Sequence, residues 1–140
     1  MTTSVLSLNY ASIVFCAVAS MVIGSIWYSP VLFGNAWIRM NGLTGMSKQD
    51  MMKDARKAYA VSLASALVLA YVLSVFANLL GITTVDEGIE MGVWLWAGLT
   101  ASTMATNYAY TKRPVALLCI DAGYWGAVVL TMAGILAVWR

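Results

Sequence analysis

Asp121 is the only charged side chain between Pro114 and Trp139, in a run otherwise as apolar and glycine-dotted as a bilayer span. An ionisable group in such a setting is read as functional by default, because burying it without a partner is costly. The chemistry open to it is binding of a proton or cation during transport, a hydrogen bond made by a neutral carboxyl, or a pair across a subunit boundary. Thr100, Thr103 and Asn107 fall at i, i+3 and i+7, on one helical face of the preceding apolar segment. With Tyr124, they are the candidate polar surroundings of the acid. A turn at Lys112 makes the two segments antiparallel, which places Asp121 ~12 Å in from Arg113 at helical rise, level with Thr103.

No Lys, Arg or His lies inside any apolar segment, so Asp121 lacks a counter-charge unless Arg39, Arg56 or Arg113 reaches inward. The chain has no histidine, and its two cysteines, Cys16 and Cys119, sit in different segments. That inventory gives no metal site, no redox pair and no nucleophile with an adjacent base. We expect no catalytic residues, no cofactor and no enzyme, with both cysteines serving as small buried apolar side chains.

The elements that must position these groups can be read from composition. At 140 residues, 61% hydrophobic and 10% charged, with a mean hydropathy of +0.81, the chain is far from the mix of a soluble domain. Four apolar segments, about 9–28, 58–80, 91–110 and 114–139, each reach the ~20 residues that cross a hydrocarbon core as a helix. The expected fold is all-α: a single domain over 1–140 with four transmembrane helices. The alternating pattern of a barrel is missing. No Lys or Arg precedes Arg39, so the first segment lacks the basic leader of a signal peptide and reads as a retained span.

Charge sets an orientation. Arg39, Lys48, Lys53, Arg56 and Lys57 crowd the connection 29–57, Lys112 and Arg113 fill the short third connection, and the second carries only Asp86, Glu87 and Glu90. The positive-inside rule makes the basic connections cytoplasmic and both termini external. Arg39, Lys53, Arg56, Lys57, Lys112 and Arg113 are then candidate contacts for anionic headgroups, and the +2 net charge suits a lipid surface, not nucleic acid. Tyr10, Trp94, Trp96 and Trp139 would line one interface; Trp27, Tyr28, Tyr59, Tyr108 and Tyr110 would line the other.

The 29–57 connection reads as structured. Ser29-Pro30 looks like an N-cap with proline at the first helical position. Leu32, Phe33, Ala36, Trp37 and Met40 then recur at helical spacing up to Asn41-Gly42. This predicts a short interfacial helix that dips Phe33 and Trp37 into the acyl boundary and turns Asn35 and Arg39 to headgroups. Ser47 with Asp50 has capping-box spacing, and nothing breaks the pattern from there into the second span. That helix should protrude, with Lys53 and Lys57 beside Asp50 and Asp54.

Small residues recur every fourth position in the second span, from Ala58, Ser62 and Ala66 to Ala70, Ser74 and Asn78, and in the third, at Ala97, Ala101, Ala105 and Ala109. Helices in lipid associate through such close-packing faces. A period of 4 drifts against a helix of 3.6, so only about three consecutive members can face one neighbour. With Cys16, Ser20 and Gly24 on the first span and Gly123 and Ala127 on the fourth, there are more faces than one bundle needs. A homo-oligomer, or a subunit of a larger membrane complex, is expected, with tight packing within one monomer as the alternative use of these faces.

The run Gly24-Ser25-Ile26-Trp27-Tyr28-Ser29-Pro30, followed by Phe33-Gly34 and Trp37, resembles the opening signature of the bacterial membrane family called domain of unknown function 1761. Trp96, Gly98, Asn107, Arg113-Pro114 and Ile120-Asp121-Ala122-Gly123-Tyr124 continue the resemblance through nearly the whole chain, although Asn35 stands where family members often carry Lys. The resemblance implies a small four-span protein of the bacterial inner membrane and carries over no activity. Joined to the topology, it marks Trp27, Tyr28, Pro30, Phe33, Gly34, Asn35 and Trp37 as a cytoplasmic signature that could share one inward-facing pocket with Asp121 and Asn107. Two functions remain open: a scaffold or accessory subunit of a membrane assembly, or a small proton- or cation-coupled transporter or channel using Asp121.

Overall fold

The computed structural model describes residues 7–140, and within them every regular element is helical. Helix α1 (Tyr10–Trp27) starts where the Asn9 side chain accepts the Ala11 and Ser12 backbone N–H groups at 3.0 and 3.3 Å. A short α2 (Gly34–Met40) comes next. The 32-residue α3 (Lys48–Leu79) begins at Ser47, whose hydroxyl accepts the Asp50 N–H. At a rise of 1.5 Å per residue it is ~48 Å long, well beyond a hydrocarbon core. Helices α4 (Val85–Leu95) and α5 (Ser102–Tyr110) are joined by a π-helical turn, Trp96–Ala101, and α6 (Val115–Val138) closes the chain.

Three of these helices, α1, α3 and α6, are long and apolar enough to cross a membrane. The expected third span, 91–110, is not one α-helix: the π-turn divides it between the end of α4 and α5. A π-turn takes in an extra residue and rotates the next stretch of helix away from the register of an unbroken one. Faces counted at 3.6 residues per turn through Trp96 therefore do not continue into α5.

Helix α6 lies at the centre, packed by α1, α3 and α4, which is why its buried residues, among them Leu117, Val128, Met132 and Leu136, do not keep to one stripe. Its closest partner is α4. A methyl group at Gly88 would lie 2.6 Å from the Ala133 carbonyl oxygen, so glycine is what lets these two backbones meet.

The small-residue pattern of α3 behaves as its drift requires. Ala66, Ala70 and Ser74 are buried with Leu73 and Ala77, while Ala58 and Ser62 lie outside the core. The second pattern differs from expectation. Ala97, Ala105 and Ala109 do not pack into the core, and a methyl at Gly98 would meet nothing within 4 Å. Cys16 is buried as expected; Cys119 is exposed, because its neighbours Leu117 and Ile120 take the inward side of α6.

Candidate functional site

The end of α1 delivers two aromatic side chains to α6. The helix stops at Tyr28, whose N–H reaches the Gly24 carbonyl, and the Ser29 hydroxyl folds back onto the Ile26 carbonyl at 2.7 Å. Because that hydroxyl is engaged behind it, Ser29 does not cap the next helix. The expected start at Pro30 is corrected to Gly34, after a turn in which the Gly34 N–H bonds to the Ser29 carbonyl at 2.9 Å. Gly34 lies so tightly over the end of α1 that a Cβ there would sit 2.3 Å from the Tyr28 carbonyl oxygen. The fold-back sets Phe33 against Trp27 and Trp37 edge-on to Tyr28, with ring centroids 4.9 and 5.6 Å apart. Pro30 and Asn35 stay at the surface, joined by a 3.4 Å bond from the Asn35 amide to the Pro30 carbonyl.

Four donors converge on one turn of α6. The Trp27 indole N–H donates to the Ile120 carbonyl at 3.0 Å, and the Trp96 indole N–H to the Ala122 carbonyl at 2.8 Å. Between them, the Asp121 carboxyl accepts the Tyr28 hydroxyl on Oδ1 at 2.7 Å and the Tyr108 hydroxyl on Oδ2 at 2.5 Å. The two indoles fit because Gly123 and Gly126 carry no side chain: a Cβ at either would come within 3.1 Å of the adjacent ring. Tyr124 stacks 5.2 Å from the Tyr28 ring, with its hydroxyl against Gly24.

This corrects the expected surroundings of Asp121. The Thr103 hydroxyl bonds to the Leu99 and Thr100 carbonyls of its own helix, the Asn107 side chain is exposed, and neither they nor Thr100 bond to the acid. Matching depths by Cα position put Thr103 opposite Asp121, but helical side chains lean toward their own N-terminus. Tyr108, on a helix descending to the turn, leans back into the bundle, while Asp121, on a helix rising from it, leans down. A long tyrosine nearer the turn therefore meets the acid. Tyr108 and Trp96, expected in interfacial belts, both turn their polar atoms to acceptors on α6. Arg113 stays at the turn, 5.6 Å over the Tyr108 ring.

Beside this cluster opens a cleft of about 730 Å³. Met21, Gly24 and Ser25 of α1 and Tyr28 at its end form one wall, and Gly34, Trp37 and Ile38 of α2 form another. Met51, Met52, Asp54, Ala55, Ala58 and Tyr59 of α3 face them, with Tyr124 at the back. Of the residues expected to share one pocket, Tyr28, Gly34 and Trp37 line this cleft; Trp27, Pro30, Phe33, Asn35 and Asn107 do not, and Asp121 lies behind Tyr28. Arg39, Lys53, Arg56, Lys57, Lys112 and Arg113 lie at the surface at the same end of the bundle. Among the described residues one ion pair forms, Lys53 to Asp50 at 3.8 Å; the Lys57–Asp54 pair expected from spacing does not. No cluster of three or more potential metal-ligating side chains occurs among the described residues.

Fold and site together define an all-helical bundle with membrane-compatible helices, an aromatic clamp on α6 and a cleft beside it. The chain belongs to the family described as protein of unknown function DUF1761, whose model matches residues 11–137. No curated protein and no solved structure matches it.

Proposed function

We propose that this is a four-span, non-enzymatic membrane protein of the bacterial inner membrane, and that its working surface is the cleft between α1, α2 and α3, which binds a small apolar molecule. The single observation that carries this reading is the cleft itself. Its volume lies in the range of small-molecule sites, its walls are methionine and aromatic, and the signature residues Gly24, Tyr28, Gly34, Trp37 and Tyr124 build it. Methionine side chains adapt to varied apolar ligands.

Support for four spans comes from α4, the π-turn and α5 following one another without an intervening loop from Val85 to Tyr110, and from the exposed apolar girdle of Val14, Phe15, Val18 and Val22 on α1 and Val68 and Val72 on α3. Apolar patches of that extent suit lipid. The basic residues gathered at the cleft end favour a cytoplasmic cleft, with both termini external. In this reading Asp121 is a tie that holds Tyr28 in the cleft wall. A transport role for the acid draws no support from Thr103 or Asn107, which point elsewhere.

Photolabelling tests the proposal. A small neutral hydrocarbon bearing a diazirine is added to the protein in nanodiscs and the labelled peptides are mapped. Labels are expected on Trp37, Met51, Met52 and Tyr59, and they should disappear when Ala58→Trp fills the cleft. Labels spread evenly over Val14, Val68 and Val72 would overturn it.

A second reading, the oligomeric scaffold, has its own observation: the small residues Ala97, Gly98 and Ala105 are exposed, and a methyl added at Gly98 would meet nothing in this chain. Small-residue faces of this kind suit a second helix. Mass photometry in nanodiscs should show an oligomer that Gly98→Leu disperses; a protein that is monomeric without the substitution rejects this reading.

A further inference from the structure

The charges around the cleft are unevenly placed. Basic residues are plentiful at this end of the bundle, yet Asp54 is the only charged side chain that lines the cleft. Lys53, its sequence neighbour, pairs with Asp50 at 3.8 Å, and neither Lys53 nor Lys57 lines the cleft. The Asp54 carboxylate therefore meets the opening with no ion-pair partner among the described residues. The walls also carry the half-buried rings of Tyr28, Trp37 and Tyr124 and the largely exposed ring of Tyr59. Aromatic faces present negative charge density and attract cations, more strongly where water is excluded.

From this complementarity we infer that the cleft selects lipophilic cations: molecules with an apolar body that fills the methionine and aromatic walls and a positive centre held by Asp54 and the ring faces. The inference rests on the reading of the cleft as a small-molecule site and adds the sign of the ligand's charge. An anionic amphiphile of the same size would place its head against Asp54 with no lining cation to offset it. The same carboxylate attracts one ion and repels the other, so the preference between matched ions doubles the effect of a single contact.

Tetraphenylphosphonium and tetraphenylborate share one apolar body and differ in charge. Equilibrium binding of each is measured on the full chain in nanodiscs of zwitterionic lipid, with protein-free nanodiscs subtracted. The cation is expected to bind saturably, at least about tenfold tighter than the anion, and to block the neutral diazirine label. Asp54→Asn should collapse that ratio toward one; Asp54→Glu should restore it, and Asp86→Asn, at the other end of the bundle, should not change it. Equal binding of the two ions, or a ratio indifferent to Asp54→Asn, overturns the inference. Tighter binding of tetraphenylborate does so too, and points to an anionic headgroup held by Lys53 and Lys57. Neutral labelling confined to the cleft, without any preference of sign, sinks the inference alone. Loss of neutral labelling from the cleft sinks the broader reading.

Discussion

The Tyr28 hydroxyl donates to Oδ1 of Asp121 at 2.7 Å, across 93 positions of sequence, and so ties the end of the first long helix to the middle of the signature on the last. Tyr108 occupies the other carboxyl oxygen, which joins α1, α5 and α6 at one carboxyl group. With both oxygens taken, Asp121 acts as a clasp. An amide is close in shape and can accept from one tyrosine and donate to the other, whereas leucine leaves both hydroxyls without a partner. Asp121→Asn should therefore cost under about 1 kcal/mol, and Asp121→Leu about 1–3 kcal/mol, read from denaturant or thermal unfolding of the purified protein. Equal losses in the two variants would contradict the clasp.

Gly34 and Gly98 make a contrasting pair. A methyl at position 34 would sit 2.3 Å from the Tyr28 carbonyl oxygen, so α2 must lift from the end of α1 and carry Trp37 away from Tyr28. Gly34→Ala should destabilise by about 1–3 kcal/mol, in the range of overpacked sites, and weaken labelling of the cleft. At Gly98 a methyl meets nothing, and alanine should be neutral or stabilising by up to about 1 kcal/mol. Matched unfolding curves for the two variants make the comparison.

Much of the architecture was legible because its causes are local. The Ser47 start of α3, the turn at Asn41-Gly42 and the apolar lengths of α1, α3 and α6 each depend on residues within a turn or two. That only about three of the small residues on α3 face one neighbour followed from the mismatch between 4 and 3.6; that these are Ala66, Ala70 and Ser74 did not. What sequence did not disclose depends on relations between helices. The π-turn at Trp96–Ala101 has no marker of its own, and the choice of Tyr108 over Thr103 rests on side-chain lean, which Cα depth ignores. Ser29 departs from expectation because one hydroxyl can serve the helix behind it as readily as the helix ahead. Asp121 itself was conspicuous; its tyrosine partners were hidden among other aromatics.

Trp96 offers a test of coupling. Its indole N–H reaches the Ala122 carbonyl while its ring fills the space left by Gly126, whose Cβ would come within 3.1 Å of the indole. Trp96→Phe forfeits one hydrogen bond, about 1 kcal/mol, together with part of the ring's packing. Gly126→Ala alone pushes against the indole and should destabilise as well. Since phenylalanine leaves room for the added methyl, the double variant should be more stable than the two single losses added together predict. A coupling of at least about 0.5 kcal/mol is expected from a double-mutant cycle, and strict additivity would mean that ring and glycine do not share this space.

At the opposite end of the bundle, the start of α4 supplies a pH dependence whose sign can be worked out. The Thr84 hydroxyl accepts the Glu87 N–H, and the Glu87 carboxylate accepts the backbone N–H groups of Thr83 and Thr84 at 2.9 and 3.2 Å. Those backbone donors hold the carboxyl below its ordinary range, since they favour the charged form. A depressed value in the folded chain means a contribution to stability that is complete above the unfolded value and fades as pH falls through the folded one. Glu87→Gln keeps an oxygen acceptor but cannot titrate. The stability advantage of the unsubstituted protein over Glu87→Gln should therefore hold near neutral pH and shrink as the solution is taken below about pH 4. Thermal unfolding of both proteins across that window provides the measurement, and an advantage that persists unchanged into acid would show that the carboxylate's charge does not support this cap.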